Sequence, residues 1–351
     1  MNHPLQRPLR AFSNPPTNPP INPPSRRRLL SVATAALTAC LMVGTAAAAS
    51  PADIYPGKPI RLVVPYTPGQ GADSAARMVA AKLAEQLKQT IIIDNRPGAG
   101  GNIGSELVAK APADGYTLLV GSNATHAANS SLYQNLRFDP IADFVPISYI
   151  GSVSMVMLAA PGFPAQSMAE LVKLAKSQPN TFNVAIPSTT SRVVLELLSV
   201  ISGAQFKDIA YKGSAAAVTD LLGGHVQLSI DTAMAATPQV NSGKLKALGV
   251  STAGRTAVLP NVRTFNESGI PGFDLSAWNV WFAPKGTPPE IVDKLNQEIR
   301  SVLADPEIKA KLRALGYEPA GTENPKKVAE FVRAETKKWG DLVKSAGLKG
   351  E

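Results

Sequence analysis

The chain has 351 residues, with 35 Lys+Arg against 26 Asp+Glu, three histidines, one cysteine and a net charge of +9. Residues 1–49 hold five of the arginines, eight prolines, the cysteine and no acid, which leaves 30 basic against 26 acidic residues, a net of +4, over residues 50–351. That split removes the main support for a nucleic-acid partner, excludes a disulfide framework after residue 49, and leaves too few histidines for a His-rich metal site.

Residues 1–24 are Asn/Pro-rich and have little apolar surface to bury, so disorder is expected there. Ser25-Arg26-Arg27-Arg28-Leu29-Leu30 then opens an uncharged apolar run that ends in small residues at Ala46–Ala49. A positive segment, an apolar segment and a small-residue site predict a secretion signal cleaved near Ala48–Ser50. The arginine pair fits both an ordinary signal and a twin-arginine address. Leu37-Thr38-Ala39-Cys40 offers a competing lipobox reading, against which the residues after Cys40 stay apolar.

About 300 residues remain, more than one core usually holds, so two domains are expected. Ile60–Tyr66 reads as a strand, and Asp73–Lys88 as a helix with Ala76, Val79, Ala80, Leu83 and Leu87 on one face and Asp73 at its N-cap. A strand at Ile91–Asp94, a helix at Asn102–Lys110 and a strand at Thr117–Val120 follow. The same alternation resumes with strands at 183–186, 208–211, 226–230 and 245–250, and helices at 167–177, 192–202 and 214–222. The C-terminus reads as helical, with Ile291, Leu295, Ile299 and Val302 on one face and Val328, Val332, Trp339 and Val343 on another. Short strands separated by helices imply βαβ units, hence an α/β fold of mainly parallel sheets flanked by helices.

No Pro/Gly/Ser linker separates the halves. The extended runs Phe144–Ala160 and Phe273–Ala283 are the expected crossings between domains. The organisation that follows is residues 1–49 as N-terminus and signal, 52–153 with 277–351 as domain 1, and 154–276 as an inserted domain 2. Two crossing strands would form the hinge, with ligand between the domains at the carboxyl ends of the strands.

The loop Tyr66-Thr67-Pro68-Gly69-Gln70-Gly71-Ala72-Asp73 runs from strand to helix. Its glycines let backbone approach a ligand, and the N–H groups of a helix start favour an anion such as a carboxylate; a tight turn with a good N-cap is the alternative. Asn95–Gly104 is glycine-rich but lacks clean G-x-G-x-x-G spacing and an acid-tipped strand beyond it, and no G-K-[ST] occurs. Ser122, Asn123 and Thr125 close the third strand with small polar side chains suited to a carboxylate. His126 is a conceivable base, but no cysteine or G-x-S-x-G nucleophile accompanies it. Ser188, Thr189, Thr190, Ser191 and Arg192 precede a helix, where hydroxyls cap or a second anion binds. Asp231 ends a strand facing the same crevice, to accept from a ligand donor or to cap a turn. No metal, cofactor or catalytic residue is expected.

Several strings together resemble one family over nearly the whole chain after the signal. They include Tyr55-Pro56-x-Lys58-Pro59-Ile60-Arg61-Leu62-Val63-Val64-Pro65-Tyr66, Asn95-Arg96-Pro97-Gly98-Ala99-Gly100-Gly101-Asn102-Ile103-Gly104, Ala113-Asp114-Gly115-Tyr116-Thr117-Leu118-Leu119, Tyr211-Lys212-Gly213, Asp220-Leu221-Leu222-Gly223-Gly224 and Gly286-Thr287-Pro288-Pro289. The set resembles the tripartite tricarboxylate transporter receptors, or Bug proteins. The resemblance implies a periplasmic solute-binding protein with the two-domain Venus-flytrap fold, without enzyme activity. It implies a monomer that captures a small carboxylated ligand for integral membrane permease subunits or a sensor kinase. In that family the segment matching Tyr66–Asp73 receives a ligand carboxyl group, and the segments matching Ser122–Asn123 and Ser188–Arg192 complete the pocket. Gln70 stands where a small residue is usual, Arg192 near where a histidine is frequent, and Ser188-Thr189-Thr190 replaces a more Gly-rich run, so specificity is where this chain departs. The rival class is a secreted α/β hydrolase-like or dinucleotide-dependent enzyme, against which the missing motifs weigh.

Overall fold

Alternating burial organises the fold. Along β1 (Ile60–Val64), Ile60, Leu62 and Val64 join one hydrophobic cluster while Val63 joins another. Along β4 (Phe144–Ala159), Val156 and Leu158 share the first cluster, and Met155, Met157 and Ala159 the second. Both faces of the sheet are therefore covered, which is why these strands read as continuous apolar runs. The computed structural model describes Asn18, Pro20 and residues 54–320 and 323–348. The expected signal, its cleavage near Ala48–Ser50 and the alternative at Cys40 lie outside the described residues, as does the expected disorder of 1–24 apart from the exposed Asn18 and Pro20.

The remaining elements are, in order, α1 (Gly71–Leu87), β2 (Ile91–Asn95), α2 (Asn102–Ala109), β3 (Thr117–Ser122), a short α3 (Asn129–Leu132), α4 (Met168–Ser177), β5 (Asn183–Ile186), α5 (Thr189–Ser202), β6 (Lys207–Ala210), α6 (Ser214–Leu222), β7 (Leu228–Thr232), α7 (Ala233–Asn241), β8 (Lys246–Val250), β9 (Ser276–Pro284), α8 (Pro289–Ala304), α9 (Pro306–Ala314), β10 (Tyr317–Pro319) and α10 (Pro325–Ser345). The strand order is β2-β1-β3-β9-β4-β7-β5-β6, with β8 and β10 also on β4. Ladders toward both edges are parallel, β2–β1–β3 and β7–β5–β6. The central ladders around β4 and β9 are antiparallel.

Two long strands carry both groups. Residues 144–154 of β4 pair with β9, whereas 155–159 pair with β7 and β8. By contacts, everything from Ala49 onward groups as one unit.

Two helix starts move by more than one residue from the sequence reading, for a capping reason each. Helix α1 begins at Gly71 with Gln70 as extended N-cap, so Asp73 is not the cap. It lies in the first turn, and its carboxylate reaches back to accept the Gly69 N–H at 2.9 Å. Helix α5 begins at Thr189 rather than Arg192, because Ser188 Oγ accepts the Ser191 N–H at 3.2 Å. Strand β7 runs on to Thr232 and so includes Asp231. Helix α7, with Pro238 inside it, and the three-residue β10 carry no periodicity that reveals them in the sequence.

Candidate binding site

The carboxyl ends of β1, β2, β3, β5, β6 and β7 converge on a cavity of about 720 Å³, the position and size expected of a ligand site in an open α/β sheet. Its first wall comes from the loops after β1, β2 and β3. The Tyr66 hydroxyl bonds Ser122 Oγ, and desolvation pushes that phenol up to about 12 against the lowering effect of the Ser122 bond, so it stays neutral. Gln70 gives α1 no side-chain cap, and Gly71 and Ala72 line the cavity. The first intrahelical bond here is Ser74 N–H to Gln70 C=O, 3.0 Å, so the earlier N–H groups of the turn have no intrahelical acceptor. These donors and the local dipole suit a carboxylate. Gly100, at φ 61°, also lines this wall. A Cβ there would stand 2.9 Å from the Tyr133 hydroxyl and 3.0 Å from Thr189 Oγ1, so the close approach requires glycine.

Asn123 joins three elements at the cavity. Its amide Nδ2 donates to Thr190 Oγ1 at 2.9 Å, and its Oδ1 accepts the Trp278 backbone N–H at 3.3 Å. The second wall is formed by Ser188, Thr189, Thr190 and Arg192 at the start of α5, Asp208 on β6, Tyr211 and Lys212 after it, and Thr232. All three charged side chains lining the cavity, Arg192, Asp208 and Lys212, belong to this wall.

Ten of the fourteen expected residues line the cavity together: Tyr66, Gln70, Gly71, Ala72, Ser122, Asn123, Ser188, Thr189, Thr190 and Arg192. Four do not, because each is used behind a wall. Asp73, 1% exposed, accepts from Arg77 Nε at 2.9 Å and Asn95 Nδ2 at 2.8 Å. Burial raises its carboxyl pKa, but the bonds from Arg77, Asn95 and Gly69 outweigh that and hold it below the usual range. Thr125 Oγ1 accepts the Ser122 N–H at 3.0 Å and bonds His126 Nδ1 at 2.8 Å. Ser191 bonds Ser188 Oγ with its own hydroxyl at 2.8 Å. Asp231, 1% exposed, accepts from Ser214 Oγ at 2.8 Å and Thr232 N–H at 2.7 Å, and burial lifts its carboxyl to about 6 despite those bonds.

Sequence reasoning missed the glycine turn Pro97–Gly101, Tyr133, Asp208, Tyr211, Lys212 and Trp278 as lining residues. The Pro/Gly run after the second strand was the available signal for the first of these. Trp278 sits in an expected crossing strand, where alternation alone does not say which face meets a cavity.

His126 is fully buried, its ring stacked on Phe282 at 3.9 Å, and desolvation drives its imidazolium pKa down to about 3. Among the described residues no cluster of three or more His, Cys, Asp or Glu is placed to hold a metal, and no helix is long and apolar enough to cross a membrane.

A two-domain binding-protein fold with an anion-suited cavity at its strand ends defines a solute-binding protein. The chain belongs to the tripartite tricarboxylate transporter family receptors, whose sequence profile matches residues 75–348. BugT of Bordetella pertussis is 36% identical over 314 residues, 88% of this chain and 96% of BugT. Among solved structures, R. palustris Rpa4515 with adipate has 36% identity and a TM-score of 0.81, covering 85% of this chain and 100% of its own. MatC from Rhodopseudomonas palustris with bound malate has 33% identity and a TM-score of 0.77, covering 82% of this chain and 100% of its own. The family and these neighbours are binding proteins rather than enzymes.

Proposed function

We propose that this protein is exported to the periplasm, its signal removed near Ala48–Ser50, and there captures a small carboxylate for the permease subunits of a tripartite tricarboxylate-type transporter. The observation that carries the reading is the open first turn of α1 beside the Tyr66–Ser122 hydroxyl pair, a neutral donor set facing the cavity. One ligand carboxylate sits there, and the rest of the ligand reaches toward Thr189, Thr190 and Arg192. Binding of adipate and malate by relatives supports a dicarboxylate of this size class. Residues 52–153 with 277–351 form one lobe and 154–276 the other. Both expected boundaries fall within β4 and β9, and the boundary residues are register partners, Val153 with Ala277 and Ser154 with Ser276. A hinge at that point closes the lobes because only the closed state lets both walls touch the ligand.

The test is a thermal-shift and calorimetric panel of adipate, malate, glutamate and terephthalate on the mature protein from periplasmic extracts. A ligand at one hundred times its Kd stabilises by about 2.7 kcal/mol, a shift of roughly four degrees at this chain length. Stabilisation by a carboxylate without its consumption is expected; no response from any of the four would sink the assignment.

A further inference from the structure

A carboxylate outside the cavity holds part of its wall. Glu335 lies on α10, with its side chain 16% exposed. Its Oε2 accepts two indole N–H groups, from Trp278 and from Trp339, each at 2.9 Å. Both indoles are buried, at 1% and 0% exposure. Trp339 packs within α10's own buried face, so it acts as an anchor. Trp278 is on β9 and touches the cavity. From Trp278 the contacts continue inward: its backbone N–H donates to Asn123 Oδ1 at 3.3 Å, and Asn123 Nδ2 donates to Thr190 Oγ1 at 2.9 Å. Neighbours on α10 hold Trp278 itself, the residues just before β9 and the segment that follows β3. Phe331 meets the Trp278 ring edge-on at 5.4 Å, Lys338 Nζ donates to the Asp274 carbonyl at 2.9 Å, and Thr336 Oγ1 donates to the His126 carbonyl at 2.7 Å.

We propose that Glu335 is a positioning residue for ligand binding: it fixes the Trp278 indole in the cavity wall and, through the Trp278 backbone, the Asn123 amide that reaches the start of α5. It touches no ligand itself. One acceptor oxygen serves two buried donors, so an apolar replacement strands both N–H groups and releases the Trp278 ring. The Asn123–Thr190 link then loses the strand position that sets it, and ligand affinity falls although no group in the cavity has changed. The role rests on the cavity being the receptor's ligand site.

The experiment uses the mature protein with 15N-labelled tryptophan, titrated with adipate, malate, glutamate and terephthalate, in wild type, Glu335→Gln, Glu335→Leu and Trp278→Phe. The three indole N–H resonances report the clasp, calorimetry reports affinity, and urea midpoints report stability. Glu335→Gln keeps a carbonyl acceptor, and is expected to hold affinity within about threefold. Glu335→Leu is expected to move two indole resonances and weaken the tightest ligand of the four about tenfold, the scale of one buried hydrogen bond to a charged group. Trp278→Phe, which removes the donor but keeps an aromatic ring, should lose affinity several-fold and covers the case in which Glu335→Leu does not fold. Wild-type affinity in a folded Glu335→Leu, or in Trp278→Phe if the leucine variant is unfolded, overturns the positioning role while leaving the receptor reading intact. If the wild type binds none of the four acids, the receptor reading falls and the role falls with it.

Discussion

Helices α1 and α5 both leave a strand end and begin at the cavity, but their first turns are treated differently. Ser188 caps α5, its Oγ taking the Ser191 N–H, while Gln70 leaves α1 without a side-chain cap. The charges are distributed the opposite way: Arg192, Asp208 and Lys212 line the cavity on the α5 side, and the α1 side presents only neutral groups. A helix start that gives up a cap forgoes about 1 kcal/mol of stability. Here the open donors face a cavity, so the first wall trades local stability for a neutral anion seat, while the second is locally satisfied and relies on side-chain charge. The groups hidden behind the walls also differ. His126 backs the first as a neutral imidazole, and Asp231 backs the second as a carboxyl with one oxygen, Oδ2, lacking a hydrogen-bond partner among the described residues.

The largest expected effects separate these hidden groups by the sign of their pH response. Burial lowers His126 from 6.5 to about 3, so the folded state resists protonation and stability drops as pH falls from 6.5 toward 3. His126→Phe, which keeps the stack on Phe282, should remove that acid-side loss, on the order of 4 kcal/mol across the window. Asp231 is raised from 3.8 to about 6, so its protonated form favours the fold below 3.8 and that contribution is lost as pH rises through 6. Asp231→Asn should therefore gain on wild type as pH rises from 4 to 7, on the order of 2–3 kcal/mol. Urea midpoints at pH 4, 5.5 and 7 decide both, and parallel slopes in wild type and variants would break the contrast between the two walls.

The next effect tests whether the second wall works by charge. Arg192→Ala should weaken a dicarboxylate such as adipate by about ten- to a hundredfold, the range of a lost hydrogen bond to a charged group. Arg192→Lys, which keeps charge but not the fork, should fall between the two. Calorimetry showing the alanine variant at wild-type affinity would place the guanidinium outside the ligand's reach.

Much of this arrangement was legible in the residues. The alternation of strands and amphipathic helices gave the α/β class, because both-face burial writes itself as apolar runs and helical stripes. The glycines of the β1–α1 loop and the hydroxyls of Ser122 and Ser188 pointed to strand ends. The failures share one physical cause. Asp73, Thr125, Ser191 and Asp231 are adjacent in sequence to lining residues, yet the half-turn of a helix or the pleat of a strand turns them away from the cavity. A residue type suited to ligand binding equally suits an internal hydrogen bond, and periodicity does not say which face meets ligand. Trp278 is the converse: its place at the cavity depends on how β9 pairs with β3 and β4, a long-range register that no local pattern encodes.

The smallest effect is the most specific to the comparison, because it transfers the cap from one helix to the other. Gln70→Ser places at the α1 N-cap a hydroxyl able to accept from the first turn, as Ser188 does in α5. If the open turn is a ligand seat, the serine competes with the ligand for the same N–H groups. The variant should then gain about 0.5–1 kcal/mol in stability without ligand while losing affinity for adipate by roughly two- to fivefold. The two readouts must move in opposite directions. A variant that is stabilised and binds as well as wild type shows that the ligand does not use those donors, and the neutral wall would then owe its role to Tyr66, Ser122 and Asn123 alone.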